Sequence, residues 1–233
     1  MNAFCYGGIW SREHGLYITG QGQYDAPERD VEEVTVPGRD GNLFIDNGRF
    51  NSLDVTYSAF LRGHLPEKTR LIRAWLFGGK GYRQLYDTYD RQYFRRAAFK
   101  GPMNIESTLN RYGQCDVVFR CHPFRFLWDG QETTEFVKSG EIFNPEGLES
   151  RPYIKIYGSG SGTLYIGGQT VGCKAIDEYV ELDSETQNAF KGGLNKNSTV
   201  SMEGFPLLQP GDNAVSWTGG IAKIEIIPRW CCI

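Results

Sequence analysis

The sequence predicts a mainly β fold with a single helix, arranged as two domains, and three observations carry the prediction. Glycine occupies 29 of the 233 positions and proline 10. That glycine share is about one in eight against roughly 7% in average chains, so tight turns are frequent and a helical bundle is disfavoured. Two segments alternate apolar and polar residues with the period of two of half-buried strands. In the first, Val55, Tyr57, Ala59 and Leu61 recur; in the second, Cys115, Val117, Phe119 and Cys121 oppose Asp116, Arg120 and His122. Only the segment after Pro66 has a convincing helical period. A chain of this length holds a full core without disulfide or metal staples.

Taken in order, the start Met1-Asn2-Ala3-Phe4-Cys5-Tyr6-Gly7-Gly8-Ile9-Trp10 lacks the charged and apolar regions of a secretory signal. No run approaches the roughly 18 consecutive apolar residues of a membrane span, so synthesis in a cytosol without membrane insertion is expected. Between Val31 and Phe50, the strand-like Val31-Glu32-Glu33-Val34-Thr35-Val36 leads into Pro37-Gly38-Arg39-Asp40-Gly41, followed by Leu43-Phe44-Ile45 and Asn47-Gly48. Pro then Gly suits the two central positions of a type II turn, which predicts a β-hairpin or extended arm. Its apolar residues need a partner, either their own domain or another surface. In the helix, Leu71, Ile72, Trp75 and Leu76 fall on one face while Glu67, Lys68, Arg70 and Arg73 point elsewhere. Pro66 suits the first turn, Leu65 before it offers no capping side chain, and Gly78-Gly79 supply the stop. A helix leaning on an antiparallel sheet is the packing solution for this part.

A boundary is predicted near Asn144-Pro145-Glu146-Gly147, after the aromatic run Pro123-Phe124-Arg125-Phe126-Leu127-Trp128, giving domains 1–143 and 144–233. Beyond it, short strands are expected at Tyr153–Tyr157, Gly162–Ile166, Tyr179–Leu182, Thr199–Met202, Ala214–Trp217 and Ile221–Ile227. Turns are expected at Gly158-Ser159-Gly160-Ser161-Gly162, Gly167-Gly168, Gly192-Gly193 and Pro210-Gly211-Asp212-Asn213. This spacing predicts a small β-sandwich.

The charge count, 25 Lys and Arg against 28 Asp and Glu for a net of −3, excludes a uniformly basic nucleic-acid reader. Residues 1–143 carry 18 basic and 18 acidic groups and residues 144–233 carry 7 and 10, so the first domain reads as charge-dense but balanced. Cys5, Cys115, Cys121, Cys173, Cys231 and Cys232 form no CxxC pair and read as buried thiols. His14, His64 and His122 are scattered, and no metal or cofactor is expected. There is no nucleophile elbow, P-loop or dinucleotide motif. Carboxylate pairs such as Asp87/Asp90 and Asp183/Glu185 could serve a glycoside hydrolase, which needs two carboxyls roughly 5 to 9.5 Å apart, but any chain with 28 acidic residues offers such pairs, and no catalytic residue is assigned. Arg91, Arg95, Arg96 and Lys100, interleaved with Tyr93, Phe94 and Phe99, suit single-stranded nucleic acid or a salt-bridged strand face. Tyr153, Tyr157, Tyr165 and Trp217 suit either sugar stacking or the sandwich core.

Several of these segments together resemble one family. Val36-Pro37-Gly38-Arg39-Asp40-Gly41-Asn42-Leu43 and Asp46-Asn47-Gly48-Arg49-Phe50-Asn51 look like the signature hairpin of the distal tail proteins of long-tailed, non-contractile bacteriophages. The order that follows is similar as well. It runs through the single helix ending in Gly-Gly, Phe119-Arg120-Cys121-His122-Pro123-Phe124, Asn144-Pro145, Arg151-Pro152-Tyr153-Ile154 and Gly158-Ser159-Gly160. It continues with Leu182-Asp183-Ser184-Glu185, the stretch Gly204–Asn213 and the closing Ile226-Ile227-Pro228-Arg229-Trp230.

The resemblance implies a structural, non-enzymatic virion protein of the tail tip, made in the bacterial host cytoplasm. Its N-terminal domain would form a homo-hexameric ring between the tail tube protein and the tail-associated fibre or lysin protein, with DNA passing through the lumen without specific binding. The C-terminal domain would be a galectin-like sandwich offering attachment to receptor-binding or other baseplate proteins. The hairpin at residues 31–50 would be the inter-subunit arm, carried by Val34, Val36, Pro37, Gly38, Arg39, Asp40, Gly41, Leu43, Phe44, Arg49 and Phe50, and the domain-exit segment by Pro123, Phe124, Phe126 and Trp128. Arg91, Arg95 and Arg96 would be paired or turned from the channel. A carbohydrate-binding module for host-surface adhesion and a cell-wall glycosidase are the competing readings.

Overall fold

The computed structural model describes residues 1–20, 22, 24–108 and 112–233. The chain divides into two compact units, Met1–Arg125 with Ile233, and Phe126–Cys232. The first contains β1 (Phe4–Tyr6), β2 (Ile9–Trp10), β3 (Leu16–Ile18), β4 (Arg29–Val34), β5 (Leu43–Phe50), β6 (Leu53–Arg62), α1 (Leu65–Phe77), β7 (Arg83–Asp87), β8 (Tyr93–Phe99), β9 (Glu106–Thr108) and most of β10 (Tyr112–Leu127). The second contains β11 (Thr134–Phe136), β12 (Gly140–Asn144), β13 (Tyr153–Ile166), β14 (Gln169–Asp183), β15 (Asn188–Lys191), β16 (Leu194–Asn195), β17 (Val200–Ser201), β18 (Gly211–Ile227) and β19 (Cys231–Cys232). The architecture is mainly β, as the sequence predicts.

In the first unit the main sheet runs in the order β2-β1-β7-β8-β10-β6-β3, while β4 and β5 form a separate two-stranded ribbon. The two alternating segments pair with each other. Cys115 lies opposite Ala59, Val117 opposite Tyr57 and Phe119 opposite Val55, so their apolar residues share one face. That face packs against α1, whose buried residues are Leu65, Ile72, Trp75 and Leu76. An aromatic cluster closes the core. The Phe4 ring stacks 5.1 Å from Tyr57 and 5.7 Å from Trp75, and the Trp75 indole N–H donates to the Tyr6 carbonyl at 3.2 Å. As expected, α1 starts with Pro66 in its first turn and no side-chain cap, and Gly78 follows its last residue. Leu71 departs from expectation: it is 45% exposed, because the buried stripe is centred on Ile72 and Leu76 and takes in Leu65 instead.

The second unit corrects two expectations. The division falls at Arg125/Phe126, before the Pro/Gly stretch near residue 144, because β11 and β12 pair with β18 and bury Phe136 and Ile142 in the second core. Its strands are also longer than expected. β13, β14 and β18 run 14, 15 and 17 residues, and Gly158–Gly162 lies inside β13 as a bent, irregular segment where a turn was predicted. Both arms of β13 reach one core, through Ile154 and Ile156 before the bend and Leu164 and Ile166 after it. Glycine is required there: a Cβ on Gly158 would lie 2.1 Å from the Gly220 carbonyl oxygen.

The shifted boundary changes the charge partition. Residues 1–125 carry 17 basic and 14 acidic groups and residues 126–232 carry 8 and 14. The first unit is therefore mildly basic, a correction to the balanced domain expected, because Asp129, Glu132, Glu135 and Glu141 belong to the second. None of the six cysteines is in a disulfide, and five of them are buried. Burial alone pushes the Cys173 thiol up to about 11.

Candidate functional site

The hairpin is built as its sequence requires. Val36 C=O accepts from Arg39 N–H at 3.2 Å, with Gly38 at φ +81°, which is the type II turn expected of Pro37-Gly38. Residues Arg39, Asp40 and Gly41 complete the tip, all exposed. Below it, Val34 pairs with Leu43, Glu33 with Phe44, Glu32 with Ile45 and Val31 with Asp46. Paired residues share a face and successive pairs alternate. One face therefore presents Val34, Leu43 and Ile45 with Glu32, and Val36 stands next to it at the tip end. The opposite face is more polar: Asn42 donates to Glu33 at 2.8 Å and Thr35 to Asn42 at 3.3 Å, with Phe44 among them. Leu43, Ile45 and Phe44 are 39%, 44% and 62% exposed. The apolar residues of the arm therefore do not fold onto their own domain.

The root of the arm is pinned by charge and by an aromatic contact. Arg29 pairs with Asp46 at 3.1 Å and Arg49 pairs with Asp30. The Arg49 hydrogen bond holds the Asp30 carboxyl below its usual range. The Arg29 guanidinium sits 4.9 Å from the centre of the Phe50 ring, which meets Phe124 edge-on at 5.9 Å. Phe124 continues the contact to His122, and His122 to Tyr82. The predicted exit residues divide between the units: Pro123 and Phe124 belong to the first, Phe126 and Trp128 to the second. Pro123 and Phe126 are buried. Ile45, absent from the residues assigned to the arm, belongs to its aliphatic face; alternation counted from Leu43 identifies it.

The other candidates are engaged otherwise. Asp87 accepts from Tyr57 Oη at 2.8 Å and from the backbone of Tyr89 and Asp90, while Asp90 pairs with Arg125. These groups line a pocket of about 210 Å³ together with Tyr24, Tyr86, Tyr89 and Tyr93. Arg95 is buried and donates to the Asp25 carbonyl at 3.2 Å; Arg91 is exposed. Asp183 and Glu185 both face Arg229, at 2.6 and 3.4 Å. Burial alone would raise the Asp183 carboxyl. The Arg229 hydrogen bond and charge, with backbone N–H groups of Glu185 and Thr186, outweigh it and hold Asp183 below its usual range. A general acid needs the reverse shift. No group of three or more potential metal ligands occurs among the described residues, and no helix among them is long and apolar enough to cross a membrane.

The second unit's aromatics also differ from a simple core. Trp217 packs against the core, but Tyr153, Tyr157 and Tyr179 are half-buried on the other side of the sheet. Their rings are covered by cations: Lys155 Nζ lies 4.1 Å from the Tyr179 centroid, Lys223 Nζ 4.6 Å from Tyr157 and the Arg229 guanidinium 5.9 Å from Tyr153.

No family model matches the chain, and no curated protein matches it. A solved structure does. The Dit protein of phage SPP1, described as a paradigm of the hub adsorption apparatus in phages infecting Gram-positive bacteria, superposes with a TM-score of 0.73 at 11% identity. The match covers 97% of this chain and 98% of that one. Along nearly its whole length, therefore, the fold of this chain is similar to that of a phage Dit protein.

Proposed function

We propose that this chain is a structural hub protein of a phage tail tip. The observation that carries the reading is the fold match to a hub adsorption protein over nearly the full length of both chains. In this reading the first unit forms a hexameric ring between the tail tube protein and the tail-associated fibre or lysin protein, with a lumen for DNA. The second unit, a galectin-like sandwich, serves as a platform for receptor-binding or baseplate proteins. The virion tail tip is its location, and the protein acts without catalysis.

The arm supports this role. An exposed aliphatic face on a two-stranded ribbon is stable in an assembly that covers it. A ring needs heterologous contacts, each subunit using two different surfaces. The carbohydrate-binding reading has less support, since Tyr153 and Tyr157, two of the rings that would stack on sugars, already lie under lysine and arginine, and Tyr165 alone of the candidate tyrosines is exposed.

Native mass spectrometry and negative-stain imaging test the proposal. Sixfold rings are expected from the purified protein, or on adding the tube protein. Deleting Arg39–Asn47 preserves both folded units by circular dichroism and abolishes the ring. A protein that stays monomeric at high concentration with its tube partner present refutes the hub role, and a ring that survives the deletion refutes the role of the arm.

A further inference from the structure

The helix α1 has a second apolar side that its own chain covers only in part, the Phe77 ring meeting Phe99 edge-on at 5.0 Å. Ile72, Trp75 and Leu76 point into the core, while Leu71, Ala74 and Phe77 follow one another along the outer side, with Leu71 and Phe77 45% and 53% exposed. Arg70 and Arg73 stand beside them, both exposed. Over Leu65–Phe77 the helix carries Lys68, Arg70 and Arg73 against Glu67. The arm is its complement in charge. Arg29–Phe50 carries Asp30, Glu32, Glu33, Asp40 and Asp46 against Arg29, Arg39 and Arg49. Two of those arginines are committed to Asp46 and Asp30. Glu32 stands exposed on the aliphatic face beside Ile45, where a cation from outside can reach it.

We infer that the aliphatic face of the arm, Val34, Leu43 and Ile45, docks on the outer side of α1 of a second copy of this chain, with Glu32 meeting Arg70 and Arg73. The inference rests on the hub reading and says where the arm lands. The dimensions agree: Leu43 to Ile45 spans roughly 7 Å of strand, and Leu71 to Phe77 roughly 9 Å of helix. Each surface is apolar with charge at hand, and the charges are opposite, which favours mutual approach and sets register. Both remain exposed within one chain, so the contact is between copies. Because the two patches differ, repetition of the contact generates a ring when the rotation closes.

The test uses the full-length protein and native mass spectrometry, with circular dichroism confirming that each variant is folded. Ile45→Asp and Leu71→Asp each abolish the ring or raise the concentration needed for it at least roughly tenfold. The reversals Arg70→Glu with Arg73→Glu, and Glu32→Lys, each weaken assembly, and all three combined in one chain restore it. These three positions are exposed, so the charge reversals decide the matter even where Leu71→Asp disturbs the helix. Helix variants that assemble like the wild type while Ile45→Asp does not would overturn this docking site and leave the hub role standing. A wild-type chain that never assembles, even with its tube partner, would overturn both.

Discussion

Arg229 is held at φ +56°, a left-handed conformation that costs a non-glycine residue roughly 1–3 kcal/mol. Its guanidinium grips Asp183 and Glu185, 46 and 44 residues earlier, and lies over Tyr153. Arg229→Ala removes that clamp and leaves the partly buried Asp183 carboxylate without the Arg229 guanidinium, so the second unit loses about 2–3 kcal/mol at pH 7, measured by urea unfolding. The pH dependence has a definite sign. Asp183 is depressed in the folded state, so its contribution is complete above the unfolded value of about 3.9 and is lost as pH falls through the folded value. The wild type and Arg229→Ala should therefore differ fully at pH 7 and progressively less below pH ~4. A constant difference down to pH ~2 would show that the ion pair is not what stabilises this corner. From sequence, Asp183 and Glu185 were a candidate carboxylate pair. Asp183 ends β14 and Glu185 lies in the turn that follows, and the cation that occupies them comes from a distant part of the chain.

Elements were legible in proportion to how local their determinants are. The Pro37-Gly38 turn needs only a fixed proline φ and a glycine that tolerates φ +81°. It formed as read, as did the alternating β6 and β10 and the helix after Pro66. The glycines of β13 were misread, because a turn and a strand bend demand the same residue for different reasons. At Gly168 the demand is conformational, φ +78° with open space around it, whereas at Gly158 and Gly220 it is steric. Gly168→Ala should accordingly cost about 1–2 kcal/mol. Gly158→Ala and Gly220→Ala, whose new methyls would lie 2.1 and 1.8 Å from carbonyl oxygens, should cost about 3 kcal/mol or more. Equal losses in urea unfolding of the three variants would remove the distinction.

At the scale of the whole molecule, the unit boundary decides which pieces can stand alone. A fragment beginning at Phe126 retains β11 and β12, and with them Phe136 and Ile142 in the core. One beginning at Asn144 lacks both, a loss of about 2–5 kcal/mol per large side chain against a total stability of about 5–15. The first fragment should melt cooperatively by circular dichroism and the second should be unfolded or melt far lower; equal melting would place the boundary back at residue 144. The sequence by itself determined the β class, the lone helix, the arm and its turn, and the order of elements that resembles the phage tail family, because periodicity and turn chemistry act over a few residues. Tertiary structure decided what those residues meet. It moved four acidic groups into the second unit, set Arg229 on the carboxylate pair, covered Tyr153, Tyr157 and Tyr179 with cations, and left Leu71 and Phe77 outside the core. Those outcomes depend on contacts between residues far apart in the chain, and the energy of such a contact appears only when the fold brings its partners together.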